Sequence, residues 1–275
     1  MSRSPDLEAL AQHWSDALAS WAIPAEILAQ AERDPWALPV ERFAERADRA
    51  VKEPEGPSFE RAAEPLKQRP GSVLDVGAGA GAASLPLARW ATRITAVDDQ
   101  PAMLAAFDER ATALGVDHST VEGRWPEVSA KVSSHDVTVV HHVVYNVPDL
   151  VPFLRALDAA TVRRVVLELP THHPLTWMNP LWKRFHGVSR PSTPAAGDLV
   201  EILSALEVTD LRAEYWMTER EAGFAAEAQD RMPQAELIAQ RLCLPSTRAQ
   251  EVAVALDDID RTHRDLVTVS WTPSQ

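Results

Sequence analysis

The chain of 275 residues holds one cysteine, Cys243. A single thiol excludes an intrachain disulfide framework and fits a reducing compartment. Positive charge is also scarce: 27 Lys and Arg stand against 40 Asp and Glu, a formal net charge of −13. Such a surface attracts a phosphate backbone poorly and disfavours nucleic acid as a partner. No apolar run approaches the length of a membrane span, and the opening MSRSPDLEAL lacks a signal-peptide core. The expectation is a cytoplasmic protein with no membrane partner. Internal repeats and low-complexity tracts are missing as well. What remains is ordinary for a globular protein, 45% hydrophobic and 24% charged, and long enough for one large domain with an appendage.

The first 70 residues read as helices. Leu7, Leu10, Trp14, Leu18 and Trp21 recur at spacings of three and four, the stripe of an amphipathic helix. Ser4, Pro5 and Asp6 give it a start. A second helix begins at Pro24, PVERFAERADRAV reads as a third, and Ser58 to Lys67 as a fourth after the polar break KEPEGPS. Trp14 and Trp21 are candidate core residues.

From Ser72 the pattern changes. SVLDV, RITAVD, a weak STVEG, DVTVVHHV and RRVVLEL are short β-branched runs separated by helix-length segments. Runs this continuously apolar suit strands buried on both faces of a parallel sheet, joined by βα crossovers. VTDLRAEYWM alternates through Leu211, Ala213, Tyr215 and Met217, and LVTVSW through Val267, Val269 and Trp271. Two alternating strands closing a parallel sheet predict an antiparallel edge, hence an α/β, doubly wound, Rossmann-like mixed sheet. A helical stretch from about 225 to 259, interrupted at Pro233 and Pro245, lies between them. The division is a helical cap over 1–68 and a core over 69–275, with helical insertions at about 172–192 and 225–259.

SVLDVGAGAGAASLPLA is the strongest local signal. Gly77, Gly79 and Gly81 follow a strand and precede a helix expected to open near Ala82. Glycines there permit positive φ and let a ligand lie against the backbone. A dinucleotide fingerprint fits this spacing too. Asp75, two residues before the first glycine, would be poor company for a pyrophosphate and good company for an ammonium group. Asp98 ends the next strand, where an acidic side chain accepts from ribose hydroxyls; both readings of the loop use it.

Three stretches, LDVGAGAGAASLPLA, ITAVDDQPAML and DVTVVHHVVYNVPDL, resemble motifs of the class I S-adenosylmethionine-dependent methyltransferases. The resemblance is close over roughly residues 70–170 and looser at the terminal strands. It implies a seven-stranded sheet with an antiparallel final strand, and S-adenosyl-L-methionine as cofactor. By resemblance, Asp75, Gly77, Ala78 and Gly79 contact the methionine end, with Gly81 completing the loop. Asp98 takes the ribose, Asp99 is a further candidate cofactor contact, and Met103 lies by the adenine. After Gly123, a further candidate cofactor contact, Arg124 and Trp125 stand where the family usually carries an acidic residue for the adenine amino group. His141 is a further candidate cofactor contact. HHVVYNVPD resembles the small-molecule, ubiquinone-type branch, not the Asn/Asp-Pro-Pro-aromatic turn of some amino-methylating enzymes.

Five of the nine histidines fall between 141 and 186. His141 and His142 end one strand and His172 and His173 follow the next, where open α/β sheets place ligands. His142 and His172 are the candidate general bases, a role histidine suits near neutral pH, and pocket-shaping histidines are the alternative. No metal-ligand spacing is clear. HHPLTWMNPLWKRFHG, with Trp177, Trp182, Lys183 and Arg184, could close over a substrate or pack on the N-terminal helices. Tyr145, Asn146, His173, Trp177 and Trp182 are the candidate substrate contacts. The leading reading is methyl transfer to a small molecule. The alternatives are an NAD(P)-dependent oxidoreductase, a methyltransferase of RNA or protein, and a non-catalytic binding module.

Overall fold

A computed structural model describes residues 6–37, 39–219, 232–259 and 263–274. Seven strands form one sheet: β1 Gly71–Val76, β2 Ala91–Asp98, β3 His118–Glu122, β4 His135–His141, β5 Thr161–Pro170, β6 Thr209–Glu219 and β7 His263–Thr272. Their order is β3-β2-β1-β4-β5-β7-β6. The first five are parallel, and β7 runs antiparallel to both β5 and β6. The reversed strand therefore lies inside the sheet, and the edge strand β6 points the same way as β5. The expected antiparallel final strand is thus present as β7, paired with the other alternating strand, β6. The apolar runs are buried as their composition requires: β1, β4 and the middle of β5 are almost wholly enclosed.

Helices cover both faces. On one, α1 (Leu7–Ala19), α6 (Leu150–Ala159) and α8 (Ala196–Ala205) build a core that includes Trp14, Phe153, Leu199 and Trp271. Asp6 caps α1 by accepting from the Glu8 N–H, while Ser4 and Pro5 lie outside the described residues. On the other face, α4 (Gly56–Gln68) and α5 (Pro101–Leu114) enclose Leu66, Leu87, Ile94 and Phe107.

The helix expected to open near Ala82 is not formed. Residues after the glycine loop make turns and a 3-10 turn, Leu85–Leu87, before β2 begins. Three glycines and Pro86 within a short span cannot sustain an α-helix. Similarly, β3 and β4 are joined through a 3-10 turn, Ser129–Lys131, not a crossover helix. Part of the missing cover comes from α4, which packs on β4, β5, β7 and the 3-10 turn Leu85–Leu87.

A third core lies apart from the sheet. It joins α2 (Ala25–Leu28), α7 (Asn179–His186), α9 (Met232–Arg241) and α10 (Ala249–Leu256) through Ile27, Leu181, Trp182, Ile238 and Val252. Residues 225–231 of the expected helical stretch lie outside the described residues. Pro233 sits in the first turn of α9 and does not interrupt it, whereas Pro245 separates α9 from α10. Cys243 is buried just beyond α9 with φ +55, past the helix and not within it. Both stripe tryptophans are buried, and each donates its indole N–H: Trp14 to Val147 O at 2.8 Å and Trp21 to Thr193 O at 2.6 Å.

Candidate active site

The candidate site lies at the carboxyl ends of β1, β2, β4 and β5. Gly77 has φ +69, and a Cβ there would stand 2.3 Å from Val143 Cγ2, so both conformation and space require glycine. The Gly79 N–H donates to Asp98 Oδ2 at 2.9 Å, and Asp98 Oδ1 accepts from the Gln100 N–H at 3.0 Å. One carboxylate thus ties the loop to the start of α5. Burial pushes the Asp98 pKa up, against the pull of the Gly79 N–H.

Asp75 is wholly buried and takes the Ser84 hydroxyl at 2.6 Å on Oδ2, while Oδ1 has no hydrogen-bond partner. Burial, assisted by Asp98, raises its pKa to about 7. Two further buried atoms without a partner sit on the same edge of the sheet, Trp125 Nε1 after β3 and His141 Nε2 at the end of β4. Buried polar groups in proteins normally have partners, so three such atoms along one edge fit a polar ligand laid across it. An ammonium group suits Asp75 and a nucleoside suits Asp98 and Trp125. Met103 is buried at the start of α5, and Asp99 is exposed and paired with Arg124 at 2.8 Å. Gly123 donates its N–H to Asp98 O at 2.9 Å, and Ala78 and Gly81 are buried in the loop.

The second half of the site is a charged cluster that sequence reasoning assembled only in part. His141 and Glu168 are register partners on β4 and β5. His142, the next residue, has φ +62, an uncommon conformation for a non-glycine that turns its ring back toward β5. Its Nε2 lies 3.1 Å from Glu168 Oε1 and 2.5 Å from Nη2 of Arg46. Arg46 comes from α3 (Val40–Lys52), whose Phe43 also reaches the loop, 3.5 Å from where a Gly79 Cβ would be. Burial, then Arg46, lowers the His142 pKa to about 4, and burial lowers that of His141. Burial alone would raise Glu168, but His141, His142 and Arg46 hold it well below the usual carboxylate range. Nothing in PVERFAERADRAV singles out Arg46; only the docking of α3 does.

The remaining candidates lie apart. His172 is exposed, with Nδ1 3.2 Å from Thr171 Oγ1. His173 is stacked on Trp21 at 3.7 Å between ring centroids, and burial, then Arg190, lowers its pKa to about 4. Tyr145 is stacked on Trp14, and its hydroxyl donates to Pro170 O at 2.9 Å. Burial lifts its pKa well above the ordinary value. Asn146 is exposed, Trp177 half-buried, and Trp182 belongs to the third core beneath the Arg190 guanidinium.

Residues 73–163 match a family model described as a methyltransferase domain. No curated protein sequence matches the chain. Among solved structures, the YcgJ protein of Bacillus subtilis is 16% identical with a TM-score of 0.51, covering 84% of this chain and 99% of that one. A Galdieria sulphuraria protein, named as a candidate sarcosine dimethylglycine methyltransferase, is 13% identical with a TM-score of 0.51, covering 86% and 98%. Likeness at this level establishes the fold, and the family match lies over the glycine loop, Asp98 and β4. An oxidoreductase or a bare binding module gains nothing from either finding. Over residues 73–163 the chain is thus similar to a methyltransferase domain.

Proposed function

We propose that the chain transfers a methyl group from S-adenosylmethionine to a small-molecule acceptor at the carboxyl edge of the sheet. The observation that carries this reading is Asp75, a buried carboxylate with an unpaired Oδ1 under the glycine loop. A pyrophosphate would be repelled there; an amino-acid ammonium would complete it. On this reading Asp75, Gly77, Ala78, Gly79 and Gly81 hold the methionine end. Asp98 and Asp99 receive the ribose, and Met103, Gly123, Arg124 and Trp125 surround the adenine. The cofactor supplies an activated methyl group, and alignment and exclusion of water supply much of the rate. His142, between Arg46 and Glu168, is placed to take a proton from the acceptor.

One observation supports a small acceptor over a macromolecule: the net charge of −13 disfavours a nucleic-acid substrate. The test is thermal unfolding with S-adenosylhomocysteine, NAD or NADP, with Asp98→Ala as control. Ligand at 100 times its Kd stabilises by about 2.7 kcal/mol, which moves Tm by roughly 5–10 °C in a domain of this size. A shift with S-adenosylhomocysteine alone, lost in the variant, is expected. A shift with NAD or NADP alone would overturn the reading.

A further inference from the structure

His142 Nε2 faces two groups that ask opposite things of it. Arg46 Nη2, at 2.5 Å, can only donate, so Nε2 must be the unprotonated acceptor. Glu168 Oε1, at 3.1 Å, can as a carboxylate only accept, so for that contact Nε2 must carry the proton. One nitrogen cannot do both. Arg46 Nη2 also lies 3.7 Å from Glu168 Oε1, so its guanidinium balances the carboxylate while occupying the imidazole. The titratable and charged groups set against His142 are Arg46 on α3, Glu168 on β5 and His141 on β4.

We propose that Arg46 is a latch on His142, released when a ligand carboxylate draws the guanidinium away from Nε2. With the latch closed, His142 is a neutral acceptor and its lone pair is spoken for. With the guanidinium turned to a ligand carboxylate, Nε2 is free to accept a proton and hold it against Glu168. The site then acquires a working base only when a carboxylate is present. Arg46 is thus a positioning residue that acts through His142.

The geometry gives the latch its means. The Arg46 side chain is about one-third exposed, whereas that of Glu168 is 9% exposed, so an incoming carboxylate can reach the cation from the open side. Two sources could supply the carboxylate. One is the methionine end of the cofactor, beside the loop that α3 touches; the other is the acceptor. The inference rests on the methyltransferase reading of the site, and the experiment separates the two.

The experiment follows the His142 ring by NMR in the full chain labelled with [13C-ε1]histidine, the signal assigned with His142→Gln. Its titration midpoint is measured for the protein alone and with S-adenosylhomocysteine. It is measured also with 5′-methylthioadenosine, which lacks the amino-acid group, and with S-adenosylhomocysteine plus benzoate. Calorimetry on the same samples reports nucleoside binding separately, so a failure to bind S-adenosylhomocysteine counts against the methyltransferase reading by its own readout. Arg46→Met should raise the midpoint by about 1–2 pH units without ligand. A comparable rise in wild type with S-adenosylhomocysteine, but not with 5′-methylthioadenosine, assigns the carboxylate to the cofactor. A rise only when benzoate is added assigns it to the acceptor. The proposal is overturned if no carboxylate-bearing ligand moves the wild-type midpoint, which needs no Arg46 variant to fold. It is equally overturned if folded Arg46→Met titrates as wild type does.

Discussion

Replacing Asp75 with asparagine should change the pH dependence of stability more than stability itself. The Asp75 pKa is about 7 in the folded chain against the ordinary 3.8, because the carboxyl is wholly buried with only Ser84 as partner. A group with a raised folded pKa binds its proton more tightly in the native state. Its contribution is full below about pH 3.8 and is lost as pH rises toward 7. The gap corresponds to about 4 kcal/mol across that window, an upper bound set by how completely the site excludes water. Asparagine keeps the shape without the titration. The difference in unfolding free energy, Asp75→Asn minus wild type, should therefore grow as pH rises from about 4 to 8. His142 and His173, whose pKa values are both lowered to about 4, impose the opposite trend on wild type, losing stability as pH falls from about 6.5. They are common to both proteins and cancel in the difference. Denaturant unfolding followed by circular dichroism at half-unit pH steps measures it. A difference curve flat from pH 4.5 to 8 would refute the account of Asp75 as a proton-binding carboxyl.

The same carboxyl makes a prediction for the ligand. If an ammonium group is bound by ionised Asp75, the Kd of S-adenosylhomocysteine should fall about tenfold between pH 6 and pH 8, and calorimetry should show no such fall in Asp75→Asn. Gly77→Ala should cost about 2–4 kcal/mol, combining a left-handed backbone at φ +69 with the overlap on Val143. Adding Val143→Ala removes the overlap but not the backbone strain, so roughly 1–2 kcal/mol of the loss should persist in chemical denaturation; full recovery would mean that strain contributes nothing.

The sequence determined a good deal by itself. RITAVD and DVTVVHHV are strands because a nearly unbroken β-branched run is stable only when buried on both faces. The glycine loop and Asp98 were legible for the same local reason: three glycines next to a strand permit a backbone that other residues resist, and an acidic strand end has few structural uses. Helices α1 to α4 followed from periodicity and breaks.

What only the tertiary structure decided lies beyond local pattern. Alternation marks 263–272 as a strand but says nothing of which neighbours it pairs with, so its insertion between β5 and β6 could not be read. The third core unites segments more than 200 residues apart, Ile27 with Val252, whose apolar positions do not name their partners. The latch is the clearest case. His142 and Glu168 meet because β4 and β5 end in register, and Arg46 reaches them because α3 docks on the glycine loop. An arginine on an amphipathic helix is in sequence only a solvated charge; its chemistry comes from the two residues, about 100 and 120 positions further on, that packing places beside it.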